Sequence, residues 1–286
     1  MPMLTLAATL VRVVVFVPKR RGLMLRMMFA PHRLGRLLAG CLLMAAMAVW
    51  QGTFTTVKSA LVTAVGGFPA DRFFADLEAA LFGVDPWRLL HGPSAGSEGM
   101  LRLAELNYGI LWSVAMMAML YFVATSPRAD GLRLRYFASF ILTWFLLGNV
   151  FAAAGMSAGP VYFGAVTGDT ARFAELVATL SATSDLPFSA ANLQAYLWQA
   201  HVGGQGGFGT GISAFPSLHV GVMTLNALFL RELDRRLGLA AFAYAGLIWV
   251  SSVYLGWHYV VDGAFSVAVV LALHPLLRRA FRAARA

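Results

Sequence analysis

Apolar residues along this chain gather into long runs instead of alternating with polar ones. Six runs, roughly 36–53, 104–125, 136–155, 213–230, 238–257 and 259–277, are nearly free of charge. Each is long enough to cross the ~30 Å hydrocarbon layer at ~1.5 Å per helical residue. A backbone exposed to lipid has to satisfy its own hydrogen bonds, so each run is predicted to be a helix. The expected fold class is therefore all-α, a polytopic membrane bundle of six transmembrane helices with interfacial helices on the extracytoplasmic side. The opening stretch 4–17, LTLAATLVRVVVFV, is too short to cross, carries Arg12, and is followed by Lys19, Arg20 and Arg21. A secretory signal has the opposite charge order, so this stretch reads as an interfacial or re-entrant helix. Residues 1–35 are then an N-terminal interfacial and cytoplasmic segment, and 36–286 one integral membrane domain.

The polar positions between the runs set the orientation. With six spans, all but five of the 22 Lys and Arg residues fall on one side, and basic residues beside span ends stay in the cytoplasm. The five exceptions are Lys58, Arg72, Arg88, Arg102 and Arg172. Both termini are expected inside, and the long segments 54–103 and 156–212 outside, as in an integral protein of a bacterial inner membrane. Composition agrees, with 59% hydrophobic and 12% charged residues. The net charge of +9 is accounted for by membrane-flanking cations that anionic headgroups attract, so no nucleic-acid partner is expected. Cys41 is the only cysteine, which leaves no intramolecular disulfide and no cysteine metal cluster.

The first outer segment contains FPADRFFADLEAALFGVDPWRLL. Here Phe73, Phe74, Leu77, Leu81 and Phe82 make an apolar stripe at helical spacing, with Asp71, Arg72, Asp76 and Glu78 mostly off it. This predicts a helix lying on the headgroups. The second ends in a helix over 189–201 and then HVGGQGGFGTG. Gly204, Gly206 and Gly209 satisfy G-x-G-x-x-G, but no strand precedes them, so they carry no dinucleotide signal and read as a hinge.

The candidate chemistry lies at two span ends. SAFPSLHVGVMTLNALFL places Pro216, Ser217 and His219 at the start of the fourth span. Proline tolerates the first helical turn, whose free N–H groups and dipole favour an anion. Ser217 adds a donor, and His219 a group that gives or takes a proton. SSVYLGWHYVVDGAFS places His258 and Asp262 four apart, so on one helix the carboxylate accepts from one ring nitrogen and leaves the other free as a nucleophile. The hairpin through RELDRRLG brings His258 level with His219. Ser251 and Ser252 read as packing residues, and His91 and His201 as loop residues. His274 falls ~24 Å deeper along a helix, near the cytoplasmic boundary.

These segments resemble the phosphatidic-acid-phosphatase type 2 superfamily of membrane phosphatases and phosphotransferases. Its P-S-x-H motif is matched by Pro216, Ser217, Leu218 and His219, and its H-x-x-x-D by His258 and Asp262. The resemblance implies that His258 attacks phosphorus, Asp262 orients that imidazole, and His219 protonates the leaving oxygen. It implies no metal or other cofactor. The family's K-x-x-x-x-x-x-R-P motif is replaced here by GMSAGPVYFG, with Gly159 and Pro160 but no cation, and its S-R by Ser251-Ser252. This pattern resembles the branch of inositol phosphorylceramide synthases. That branch implies transfer of a phosphorylated headgroup from a phospholipid to a lipid acceptor such as ceramide or diacylglycerol, with Ser217, Pro216, Gly159 and Ser252 about the phosphate. Replacement cations could come from Lys58, Arg72, Arg102 or Arg172.

Hydrolysis of phosphatidate or a polyprenyl (di)phosphate would use the same residues with water as acceptor. A metal-binding or transport protein would also place histidines beside an aspartate, but has no use for Pro-Ser at a helix start. An intramembrane serine protease lacks its G-x-S-G sequence here, and a structural relative without activity is the remaining alternative.

Overall fold

The computed structural model of the chain describes residues 29–92, 97–186, 189–204 and 210–283, together with Gly22 and Arg26. All regular structure among them is helical. The expected helix over 4–17, the Lys19, Arg20 and Arg21 cluster, Gly206, Gly209 and Arg285 lie outside the described residues. In chain order the helices are α1 (Pro31–Val65), α2 (Asp71–Phe82), α3 (Pro86–His91), α4 (Glu98–Thr125), α5 (Arg133–Ala154), α6 (Phe163–Thr167), α7 (Ala174–Leu180), α8 (Ala190–Val202), α9 (Leu218–Leu233), α10 (Arg235–Tyr254) and α11 (Val260–Ala283).

Five of these, α1, α4, α5, α10 and α11, are long and apolar enough to cross a membrane. α9, which falls in the fourth expected span, is different. It has 16 residues and begins at Leu218, after a non-helical run through 213–217. It packs against α4, α5, α10 and α11, so every residue from Val220 to Ala227 is buried. Its apolar side chains are therefore spent on protein neighbours, and the other helices are arranged around it.

A single residue, Asp234, connects α9 to α10. Its carboxylate accepts from the N–H groups of Arg236 (2.7 Å) and Leu237 (3.0 Å), capping α10 at the point where α9 ends. The helices cross closely just beyond, where a Cβ on Gly238 would lie 2.4 Å from that of Arg231. This tight turn sends the chain straight back, which puts the start of α9 and the end of α10 at one end of the bundle. At the opposite end Glu232 pairs with Arg135 (2.6 Å) and His274 (2.8 Å).

One expectation is corrected here. α1 continues to Val65, beyond the expected end at 53, so Lys58 stands on a helix and not in a loop. α2 forms where the stripe of apolar residues predicts it. Phe73, Leu81 and Phe82 are exposed, whereas Asp71, Phe74, Ala75 and Glu78 are buried. The carboxylates turn inward because backbone N–H groups of neighbouring segments await them there.

Candidate active site

The turn between α10 and α11, residues 255–259, carries His258 and is held from every side. His91 Nε2–H donates to the Tyr254 carbonyl (2.7 Å), Gln194 Nε2–H to that of Leu255 (2.8 Å), and the Val161 N–H to that of Gly256 (3.1 Å). The N–H groups of Trp257 and His258 both donate to the Ser252 carbonyl. The Tyr259 hydroxyl donates to Asp71 (2.9 Å), and the Val261 N–H to Glu78 (3.0 Å). Asp71 also accepts from the N–H groups of Ala158 (2.7 Å) and Gly159 (2.9 Å). Gly159 is required at its position, because φ is +104° and a Cβ would lie 2.6 Å from the Trp257 carbonyl oxygen. α2 thus braces both the 158–159 turn and the His258 turn through two buried carboxylates.

Burial raises the pKa of Asp71, against the opposing pull of its hydrogen bonds from Ala158, Gly159 and Tyr259. Burial also lifts Glu78 to about 8, and the nearby Asp262 adds to that rise.

The His258–Asp262 contact has a different origin from the one the spacing suggests. α11 begins at Val260, so His258 precedes the helix instead of sharing a face with Asp262. Asp262 occupies the third helical position and reaches back to the Tyr259 N–H (3.0 Å), as the acidic member of a capping box does. The same oxygen lies 3.2 Å from His258 Nδ1. Burial, with the Lys58 ammonium acting in the same direction and the Ala214 carbonyl against it, lowers the His258 pKa to about 3. The imidazole is neutral at neutral pH.

His219 lies in the first turn of α9, whose N-cap is Ser217. A π-helical turn over Leu106–Leu111 in α4 places Tyr108 and Trp112 against its ring. Tyr108 is stacked at 4.3 Å between centroids and Trp112 lies at 4.0 Å. The His219 and His258 rings are 6.4 Å apart. Both line one cavity of about 400 Å³, walled otherwise by Phe54, Lys58, Trp112, Trp144, Leu193 and other largely apolar groups. A second π-helical turn, Leu146–Phe151 in α5, adds Gly148 to its wall. Turns of this kind are frequent at functional sites.

Residues 72–276 match the family model of the PAP2 superfamily. The chain belongs to the PAP2 superfamily. Its members are phosphatases and phosphotransferases, which makes this an enzyme of that general kind, with lipid-like phosphate substrates in a membrane setting. No curated protein and no solved structure matches the chain.

The other residues picked out by their motifs have varied positions in this PAP2 protein. Pro216 lines the cavity but precedes the helix instead of opening its first turn. Ser217 is fully buried, its hydroxyl capping α9 at the Val220 N–H (3.5 Å), and it does not line the cavity. Gly159 acts through its N–H on Asp71. The Ser252 hydroxyl donates to the Trp249 carbonyl (2.7 Å), away from the cavity wall. Ser251 accepts from Asn107 (2.9 Å). His91, expected in a loop, ends α3 and is buried.

Of the four candidate cations only Lys58 reaches the cavity. Arg72 donates to the Thr167 carbonyl (2.8 Å), Arg102 pairs with Glu105 (3.2 Å), and Arg172 is held by Asp76 (2.5 Å) and Asp85 (2.8 Å). Among the described residues no group of three or more His, Cys, Asp and Glu side chains is placed to hold a metal ion. Asp71, Glu78, Tyr108 and Trp112 were not singled out from the sequence as site residues. The spacing of Asp71 and Glu78, seven apart on one helical face, is the signal that would have found the first two.

Proposed function

We propose that this PAP2 protein transfers a phosphorylated headgroup between lipids through a phosphohistidine on His258. The observation that carries this reading is that two histidines from different helices line one mostly apolar cavity while a buried carboxylate sits on the Nδ1 of one of them. With Asp262 accepting from Nδ1–H, the lone pair of Nε2 attacks phosphorus. The bond from phosphorus to the leaving oxygen breaks, and His219 gives that oxygen a proton. An acceptor hydroxyl then attacks phosphorus, His219 takes its proton back, and the bond to nitrogen breaks. Six spans, with α9 among them and α2 at the interface, would set the cavity at the extracytoplasmic face and both termini inside. The inward face of α2 and the excess of basic residues near the far end support that arrangement.

The test is to incubate purified protein in detergent with labelled glycerophospholipids, phosphatidate and a polyprenyl diphosphate, with and without ceramide or diacylglycerol. A new phospholipid that forms only with donor and acceptor together is the expected result. Phosphate released from a monoester or diphosphate without any acceptor would make the protein a phosphatase instead.

A further inference from the structure

One charge on the cavity wall has no part in the steps above. Lys58 belongs to α1, outside residues 72–276 that carry the family match, and it lines the cavity together with His219 and His258. Its stem runs past Gly211, where a Cβ would lie 3.1 Å from both Cβ and Cγ of the lysine. Among the described residues no carboxylate forms an ion pair with it. Glu105, the carboxylate on the same wall, is already engaged by Arg102 (3.2 Å), the Thr183 hydroxyl (2.8 Å) and the Ala190 N–H (2.8 Å). The remaining polar side chains on the wall are hydroxyls, indoles and the two imidazoles, and His258 is neutral. An ammonium in a largely apolar cavity is costly until an anion meets it.

We infer that Lys58 is the phosphate-binding cation of this site, and that with one cation opposite it the phosphate is a singly charged phosphodiester in preference to a doubly charged monoester. The inference rests on reading the cavity as a phosphoryl-transfer site, and it places the charge partner on α1, whereas the matched motifs lie on α9 and in the α10–α11 turn. A second negative charge would have no further lysine or arginine on the wall to meet it, only the His219 proton that passes to the leaving oxygen, which disfavours a monoester dianion.

The experiment measures binding and turnover of two short-chain lipids, dihexanoyl phosphatidylglycerol as the diester and dihexanoyl phosphatidate as the monoester, on the full-length protein in detergent. At pH 7 the wild-type protein should bind the diester more tightly. Lys58→Met should weaken diester binding by ~10-fold or more, the share expected of a lost charge-assisted contact, and Lys58→Arg should restore it to within ~3-fold. Gly211→Val, which pushes the lysine stem aside without removing its charge, should weaken diester binding less than Lys58→Met does. It also carries the test if Lys58→Met does not fold, as judged by gel filtration and thermal unfolding. Equal diester binding by wild type, Lys58→Met and Gly211→Val would overturn the assignment of Lys58. Tighter binding of the monoester would overturn the substrate class. Lysine-dependent binding with no turnover of either lipid, alone or with acceptor, would leave the cation site standing and remove the transfer reaction.

Discussion

Two histidine–carboxylate pairs meet α11, one where the helix begins and one farther along it, and they are built on different principles. At the pair farther along, His274 meets Glu232 at 2.8 Å, and the same carboxylate is tied to Arg135 at 2.6 Å, whose guanidinium lies 4.7 Å from the Phe229 ring centroid. Its negative charge is matched by a fixed arginine, and it joins α5, α9 and α11. At the other, Asp262 meets His258 at 3.2 Å with no arginine or lysine among the described residues in ion-pair contact, and the histidine opens onto a cavity. Charge matched within the protein makes a strut. A carboxylate whose partners are an imidazole and a backbone N–H keeps its orienting effect on the imidazole, and the cavity leaves room for a substrate to complete the set. Twelve residues of one helix, from Asp262 to His274, thus separate the candidate catalytic pair from a structural one.

The strongest test of this contrast pairs His258→Ala with His274→Ala. The first should lower turnover by ~10³-fold or more, as loss of a nucleophile does, and the second should leave kcat within ~3-fold while lowering Tm. Comparable losses of kcat in two well-folded variants would erase the distinction. His219→Ala should cost ~10²–10⁴-fold in kcat, the range of a general acid–base group, with little change in Tm. An unchanged kcat would remove His219 from the proton-transfer role.

Arg135→Met tests the strut. It leaves Glu232 without its arginine and should destabilise the protein by ~3–5 kcal/mol, read by thermal or denaturant unfolding, with kcat per folded molecule retained. Asp71→Asn lies between the two classes. Its amide places an N–H₂ toward donors that need an acceptor, so a loss of ~1–3 kcal/mol is expected, with kcat down by ~10-fold as the His258 turn loosens. A stability loss at constant kcat would show that α2 braces the fold and not the site.

The remaining test is a pH dependence. Glu78 is raised from 4.5 to about 8, so the folded state keeps its proton over a range in which the unfolded chain has lost it. The stability contributed by the protonated form is complete below about pH 4.5, falls as pH rises toward 8, and levels off beyond. Glu78→Gln keeps an acceptor for the Val261 N–H and should flatten that slope, so the Tm difference between variant and wild type should grow from pH 5 to pH 8. Parallel Tm curves across that interval would mean that Glu78 is not the titrating group.

Hydropathy and spacing alone identify the all-helical membrane fold, five of the long helices, and the three residues His219, His258 and Asp262 as a set worth bringing together. These follow from local rules, since the burial of a run of apolar residues and the register of short motifs depend on neighbours in the chain. The direction in which α2 faces, the reach of α1 to Lys58, the non-helical start of the Asp262 contact, the aromatic clamp of Tyr108 and Trp112, and the separation of Lys58 from three arginines that are already engaged are matters of tertiary structure. A polar side chain goes where its partner is, and the partners of Asp71, Glu78 and Glu105 lie at positions 158–159 and 259, 261, and 183 and 190. No reading of adjacent residues contains those distances, and it is the packing of the helices that supplies them.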